Sequence, residues 1–174
     1  SLSFVNNYIM GITDTIIPAM NFYANGIRIY TNVPTAKLYS ADFQVLYKPL
    51  TNFSVFINSK FTFGELNSSA PMPLIPPLKN IVAFQYQKNQ FSILAESESA
   101  LAQNRINVDY GESKTPAFII FNLKSGYSIH LSNTIIDIGL GISNLLNRAY
   151  YEHLDWGRIN RPGRSFDLLL KLSY

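Results

Sequence analysis

The chain has 174 residues, of which 47% are hydrophobic, 14% aromatic and only 14% charged. The length predicts one domain, and the charged fraction lies well below the quarter or so that is usual for a soluble domain. No apolar run reaches the roughly 18 residues of a transmembrane helix. The net charge of +3 is too small to indicate nucleic-acid binding, and the absence of cysteine excludes disulfides and thiolate metal sites.

The first residues, SLSFVNNYIMG, have no basic region and no cleavage site, so they do not form a signal peptide. If the protein is exported, we expect its signal upstream of Ser1. Lysine and arginine are scattered along the chain except for one group near the end: Arg148, Arg158, Arg161 and Arg164.

Apolar and polar residues alternate with a period of two, which predicts about eight β-strands and no helix. In NFSVFINSKFTFG, for example, Phe53, Val55 and Ile57 share one face, and Ser54 and Lys60 share the other. The first and fifth segments alternate less regularly than the rest. The predicted strands cover residues 1–17, 29–48, 51–65, 78–88, 90–104, 116–128, 131–143 and 162–174.

The connections between the predicted strands alternate in length. KPLTN, YQKNQ and SIHLS are short enough for hairpin turns. The longer links between them are polar or rich in proline and cover residues 18–28, 65–77, 105–115 and 144–161. This alternation predicts an antiparallel meander, all-β, with one plain end and one elaborated end.

Three features favour a membrane-spanning β-barrel over a soluble all-β domain, although the alternation alone is compatible with both. The apolar faces are rich in Phe, Leu and Ile. The strands are longer than the five to six or so residues of globular sheets and long enough for the roughly 9–11 residues that a tilted strand needs to cross a bilayer. Aromatic residues gather near strand ends, as in barrel interface belts: Tyr39, Tyr47, Phe63, Tyr86, Phe91, Tyr127, Phe166 and Tyr174. Period and composition leave open whether eight strands close alone or form one arc of a larger barrel.

The last third, SNLLNRAYYEHLDWGRINRPGRSFDLLLKLSY, resembles the closing segment of TonB-dependent outer-membrane receptors. Those proteins have a strand ending in Asn-Leu, an aromatic element, a long surface loop, a PGR motif with an aromatic, and a final strand ending on Phe or Tyr. The matching pieces here are Asn144-Leu145, Tyr150-Tyr151, Pro162-Gly163-Arg164, Phe166 and Tyr174.

The resemblance continues upstream in weaker form. Ile75-Pro76-Pro77 resembles the family's IPP entry into a strand, and the stretch YTNVPTAKLYSADFQVLY resembles another strand, with Ser40 and Asp42 where Gly and Glu are usual. TPAFIIFNLKSGY resembles a third strand through these residues: Thr115-Pro116, Phe118, Asn122-Leu123 and Gly126-Tyr127.

The resemblance implies a barrel of about 22 strands with an N-terminal plug domain inside it. Such receptors import scarce nutrients, such as iron chelates (siderophores), cobalamin or glycans, and are energised through TonB. Residues 1–174 are too few for this architecture, so we expect one C-terminal barrel segment of about eight strands, with the plug domain absent.

The resemblance also implies a location and partners. The location is the outer membrane of a Gram-negative bacterium, with the tight turns periplasmic and the long links extracellular. The partners are outer-membrane lipid, TonB and the plug through the rest of the protein, a small-molecule or glycan ligand, and the barrel-assembly machinery. That machinery would read the C-terminal strand: Phe166, Leu168, Leu170, Leu172 and Tyr174.

The loop NRAYYEHLDWGRINR is the best candidate for ligand contacts, because aromatic rings offer stacking area and arginine pairs with anions. The candidate ligand-binding residues are Tyr150, Tyr151, His153, Trp156 and Arg158. The alternative is an ordered loop with an aromatic interface belt, which fits the fact that the motif resembles a general feature of the family.

Other chemistry-bearing residues fit no catalytic or metal pattern. Glu96 and Glu98 share a strand face and are read as lumen acids, and His130 and His153 lack metal-ligand spacing. Gly139 and Gly141 form a G-x-G with no helix after it. The sequence therefore predicts no enzyme, no cofactor, no metal site and no nucleic-acid partner. The alternatives are a complete eight-stranded outer-membrane barrel with a structural or adhesive role, and a soluble all-β binding domain.

Overall fold

The computed structural model describes residues 1–14, 27–67 and 69–174. In these residues, eight antiparallel strands form one sheet, and each strand pairs with its neighbours in sequence. One 3-10 turn, Trp156–Arg158, lies in the last link. The strands are β1 (Leu2–Asp14), β2 (Ile27–Leu50), β3 (Phe53–Leu66), β4 (Lys79–Lys88), β5 (Phe91–Ala100), β6 (Phe118–His130), β7 (Ile135–Ser143) and β8 (Ser165–Ser173). Among the described residues, no helix has the length and hydropathy to cross a membrane.

The predicted all-β meander is confirmed, with small differences at strand ends. β5 ends at Ala100 rather than at 104, because the chain leaves the ladder there and Gln103 makes a separate bridge to Thr115. β7 begins at Ile135 rather than at 131, because the backbones of Leu131 and Thr134 bond to each other and close the turn. Residues 15–17 of the predicted first strand and most of the predicted link 18–28 lie outside the described residues.

The two faces of the sheet differ in polarity. On the outer face, as we call it, Leu140 pairs with Leu168 and Ile138 with Leu170, and both Leu168 and Leu170 are more than 60% exposed. The opposite, inner face carries pairs such as Asp137 with Lys171. Such a continuous exposed apolar face is characteristic of a surface that meets lipid or another protein.

Aromatic residues mark the limits of the apolar part of β2. Tyr39 packs edge-on against Phe63 of β3, with ring centroids 6.0 Å apart. Tyr47 follows eight residues later. At ~3.3 Å per residue and a strand tilt of ~40°, the stretch between the two tyrosines spans about 20 Å along the normal of a bilayer. This value is comparable to the apolar band of about 25 Å in membrane barrels. β1 pairs with β2 only between Ile27 and Tyr39, beyond this band.

The weak alternation of β1 has a backbone cause. Asn7 has a φ of 55°, in the left-handed region, and falls between the ladder pairs of Asn6 and Tyr8. Phe4, before it, is exposed, whereas Met10, after it, is 6% exposed and packs in a small core. One left-handed residue therefore interrupts the regular extended backbone of the strand midway.

Both edges of the sheet are open. Within the described part of the chain, β1 pairs only with β2 and β8 only with β7. The eight strands therefore do not close on themselves, and the sheet is an arc. This argues against the alternative of a complete eight-stranded barrel.

Arginine at Leu140 or Leu170 should destabilise the protein folded in a bilayer by about 2–4 kcal/mol, the cost of Arg at mid-depth on a lipid-facing strand. The resemblance implies that the outer face meets lipid. The matched control is Leu169→Arg, because Leu169 lies on the inner face beside Gly139 and is similarly exposed. Urea titration of the intact protein in lipid vesicles measures each variant. Equal losses of stability for Leu169→Arg and Leu170→Arg would show that the assignment of the outer face to lipid is wrong.

Candidate functional site

One carboxylate joins three long links, within which the structure describes residues 69–78, 101–117 and 144–164. Glu112 accepts hydrogen bonds from the backbone N–H groups of Leu74 (2.6 Å) and Asn107 (2.8 Å). The Nε2 atom of His153 lies 3.3 Å from the same carboxylate, and its Nδ1 atom lies 2.9 Å from the hydroxyl of Thr115. The side chains of His153 and Glu112 are 4% and 7% exposed. The links are thus held as one unit by buried polar contacts.

Two buried amides hold the proline-rich link, residues 69–78, in place. Asn107 donates through its side chain to the Pro71 carbonyl at 2.7 Å, and Gln103 donates to the Ile75 carbonyl at 2.6 Å. The link crosses β3 at Gly64, where an added Cβ would lie 2.7 Å from the Cβ of Met72. Gly64 is therefore required for the close approach.

A chain of ion pairs fastens the last link to the inner face. Glu152 accepts from Lys79 Nζ at 2.8 Å and from Arg161 Nη1 at 2.7 Å, and Lys79 also reaches Glu98 at 2.7 Å. Arg161 forms a two-point contact with Asp155, at 2.8 and 2.9 Å. The hydrogen bonds from Arg161 hold the pKa of Asp155 below its usual value.

The residues that carry the C-terminal resemblance form a hydrogen-bonded cluster where the last link begins and ends. Asn144 is 2% exposed; its side chain bonds both the N–H and the carbonyl of Arg148 (2.8 Å each) and donates to the Pro162 carbonyl at 3.3 Å. The side chain of Asn147 accepts from the Arg164 N–H at 2.9 Å. An added Cβ on Gly163 would lie 2.6 Å from that oxygen of Asn147. Asn144 and the Pro162-Gly163-Arg164 part of the motif therefore have architectural roles.

The candidate ligand residues occupy different environments. Tyr150 packs on the ring of Phe118 at 4.6 Å, and burial raises its pKa. His153 is buried in the Glu112 contact, and Tyr151 lines a cavity of about 40 Å³ with Pro77. Arg158 is exposed in the 3-10 turn. The backbone of Trp156 begins that turn, and its side chain lies outside the described parts. The ligand role of these five residues stays a prediction.

The inner face of β5 to β8 forms an open groove of about 530 Å³ at the hairpin-turn end. Lys124, Asp137 and Asp167 line it, and Gly139 and Gly141 leave it wide because they have no side chains. Of the two lumen acids, Glu96 accepts from Asn122 at 2.9 Å and Glu98 pairs with Lys79. His130 ends β6. Over the described ranges, no group of three His, Asp or Glu side chains could hold a metal ion.

Sequence reasoning missed Glu112, Asn107 and Gln103. They lie in or beside a link without periodicity, so their polarity was compatible with simple solvent exposure. The pair of Lys79 and Glu152 is separated by 73 residues, and no local signal connects its members.

No protein-family model and no curated protein matches this chain. Among solved structures, the chain is similar to the copper transporter OprC, with a TM-score of 0.82 over 98% of this chain at 22% sequence identity. The chain covers 27% of the length of that protein. This likeness shows the fold: the antiparallel meander has the architecture of a segment from a barrel-type protein.

Replacing Glu112 by alanine should loosen all three links, because it leaves the N–H of buried Asn107 and the buried ring of His153 without this partner, at a cost of about 1–3 kcal/mol, and frees the N–H of Leu74. We expect amide exchange at Leu74 and Asn107 to accelerate by about tenfold or more in the intact protein, while the centres of the strands stay protected. Asp109→Ala is the control, since Asp109 is an exposed acid in the same link. Unchanged exchange in Glu112→Ala would contradict the role of this carboxylate.

The contact between Asp155 and Arg161 predicts loss of order in the last link at low pH. Because the pKa of Asp155 is lowered in the folded state from 3.8, its stabilisation is complete above pH 3.8 and disappears as the pH falls through the lower folded value. The measurement is the rate at which an acid-active protease cleaves the link as the pH is lowered. In Asp155→Asn the link should be cleaved readily at every pH. If the variant and the wild type showed the same dependence of cleavage on pH, Asp155 would not be the cause of the loss of order.

Proposed function

We propose that this chain is the C-terminal barrel segment of a TonB-dependent transporter in the outer membrane of a Gram-negative bacterium. The observation that carries the proposal is the open meander, with an exposed apolar outer face and a polar inner face. In lipid every backbone donor and acceptor needs a partner, so the open edges within the apolar band, on β2 beyond Tyr39 and on β8, require further strands. The order of the C-terminal motif and the likeness to a transporter fold support the same assignment.

The asymmetry of the two ends supports an orientation. The hairpin turns that close β2–β3, β4–β5 and β6–β7 would face the periplasm, and the fastened long links would face outward. The barrel-assembly machinery would read β8, in which Phe166, Leu168, Leu170 and Leu172 are exposed on the outer face. TonB and the plug would act through the rest of the protein.

The cargo would be a scarce nutrient carried through the lumen. The family resemblance suggests an iron chelate, cobalamin or a glycan, and the similar copper transporter adds copper to these candidates. The last link would take part in binding at the outer mouth. There Tyr151, Trp156 and Arg158 would contact ligand, and Tyr150 and His153, which make internal contacts, would hold the link in shape.

The test is nutrient uptake by cells that lack the intact protein. We expect uptake of one labelled cargo, among an iron chelate, cobalamin, copper and an oligosaccharide, to be lost in the deletion strain and also in a strain without TonB. Re-expression of the intact protein should restore it. Unchanged uptake of every cargo would contradict the proposal, and recovery of a folded monomer without detergent would favour the soluble all-β alternative.

A further inference from the structure

Two exposed arginines lie directly beyond the apolar outer face of β8. Phe166, Leu168, Leu170 and Leu172 form a row along this face, each at least 60% exposed. Arg164 precedes this row by two positions, at its long-link end, and its side chain is exposed. A cationic group therefore stands at the outward end of an apolar stripe.

The hydrogen-bonded cluster at Asn144 brings the backbone of a second arginine close to that of Arg164. One side-chain amide of Asn144 donates to the carbonyls of both Arg148 and Pro162, and Asn147 accepts from the N–H of Arg164. The backbones at 148 and 164 are thus neighbours held by hydrogen bonds, although they are 16 positions apart in sequence. Arg148 is exposed as well.

Both charges are uncompensated in the described part of the chain. No carboxylate there lies within 4.0 Å of the guanidinium of Arg148 or of Arg164, whereas Arg161 of the same link pairs with Glu152 and Asp155. The link therefore uses one arginine for its own structure and leaves two on the surface. Neither guanidinium takes part in a hydrogen bond among these residues.

We propose that Arg148 and Arg164 bind the phosphate groups of a phosphorylated lipid whose acyl chains lie along the row from Phe166 to Leu172. This proposal rests on the proposed membrane location. Guanidinium groups bind phosphate oxygens through two parallel hydrogen bonds, and clusters of basic residues next to an apolar span attract anionic headgroups. The apolar row accounts for the lipid tail, which a free phosphate or a soluble phosphoprotein lacks.

The experiment measures lipid binding by the intact protein in detergent. The probes are a bis-phosphorylated glycolipid, the same lipid without its phosphates, and inorganic phosphate. The test variant is R148Q/R164Q. The control is K48Q/K88Q, which removes two exposed lysines at the hairpin-turn end and so changes net charge equally.

We expect wild type and K48Q/K88Q to bind the phosphorylated lipid at least about tenfold more tightly than R148Q/R164Q does, from lost charged hydrogen bonds. All three proteins should bind the dephosphorylated lipid equally. If R148Q/R164Q and wild type bound the phosphorylated lipid with equal affinity, or if wild type bound both lipids equally, the arginine site would be overturned. The proposed membrane location would stand in either case. Inorganic phosphate that competes as well as the lipid would exclude the apolar row from the site. Wild type that binds neither lipid would argue against the membrane location too.

Discussion

The sheet has a single layer, and its stability depends on the ladders of backbone hydrogen bonds between consecutive strands. Among the described residues no large side chain is fully buried, so there is no core between two layers. A sheet of this kind is stable only if its surroundings accept an apolar outer face and if its edges find partners. The polarity of the two faces, the lengths of the strands and the open edges all follow from that constraint.

The long-link end of the molecule is stabilised differently from the sheet. Both small apolar clusters lie there, one around Met10 and Leu66 and the other around Phe118. Buried polar side chains such as Glu112 and Asn144 then fix links that have no regular structure of their own. Each such side chain satisfies backbone donors or acceptors that a loop would otherwise leave to water. The hairpin-turn end needs no such devices, since its turns are short.

The strands could be predicted from the sequence because alternation between faces is a local property. The alternation was less regular in the first and fifth segments; in β1 the left-handed Asn7 interrupts the extended backbone, and no pattern of apolar residues reveals such an interruption. The contacts at the long-link end could not be predicted from periodicity, since Glu112 and Lys79 find their partners across dozens of residues. Asn144 was singled out only by resemblance, and its hydrogen bonds now explain why that position carries the motif.

The shared carboxylate of Glu112 has a consequence for how this chain tolerates change. An insertion in any one link would displace an anchor that the other two also use. The lengths of the links are therefore coupled, and variation is easiest in segments that hang between anchors, such as residues 157–160. Links held in this way can vary their exposed residues while their buried contacts stay constant. Changes in surface chemistry and the maintenance of shape thereby fall to different residues of the same links.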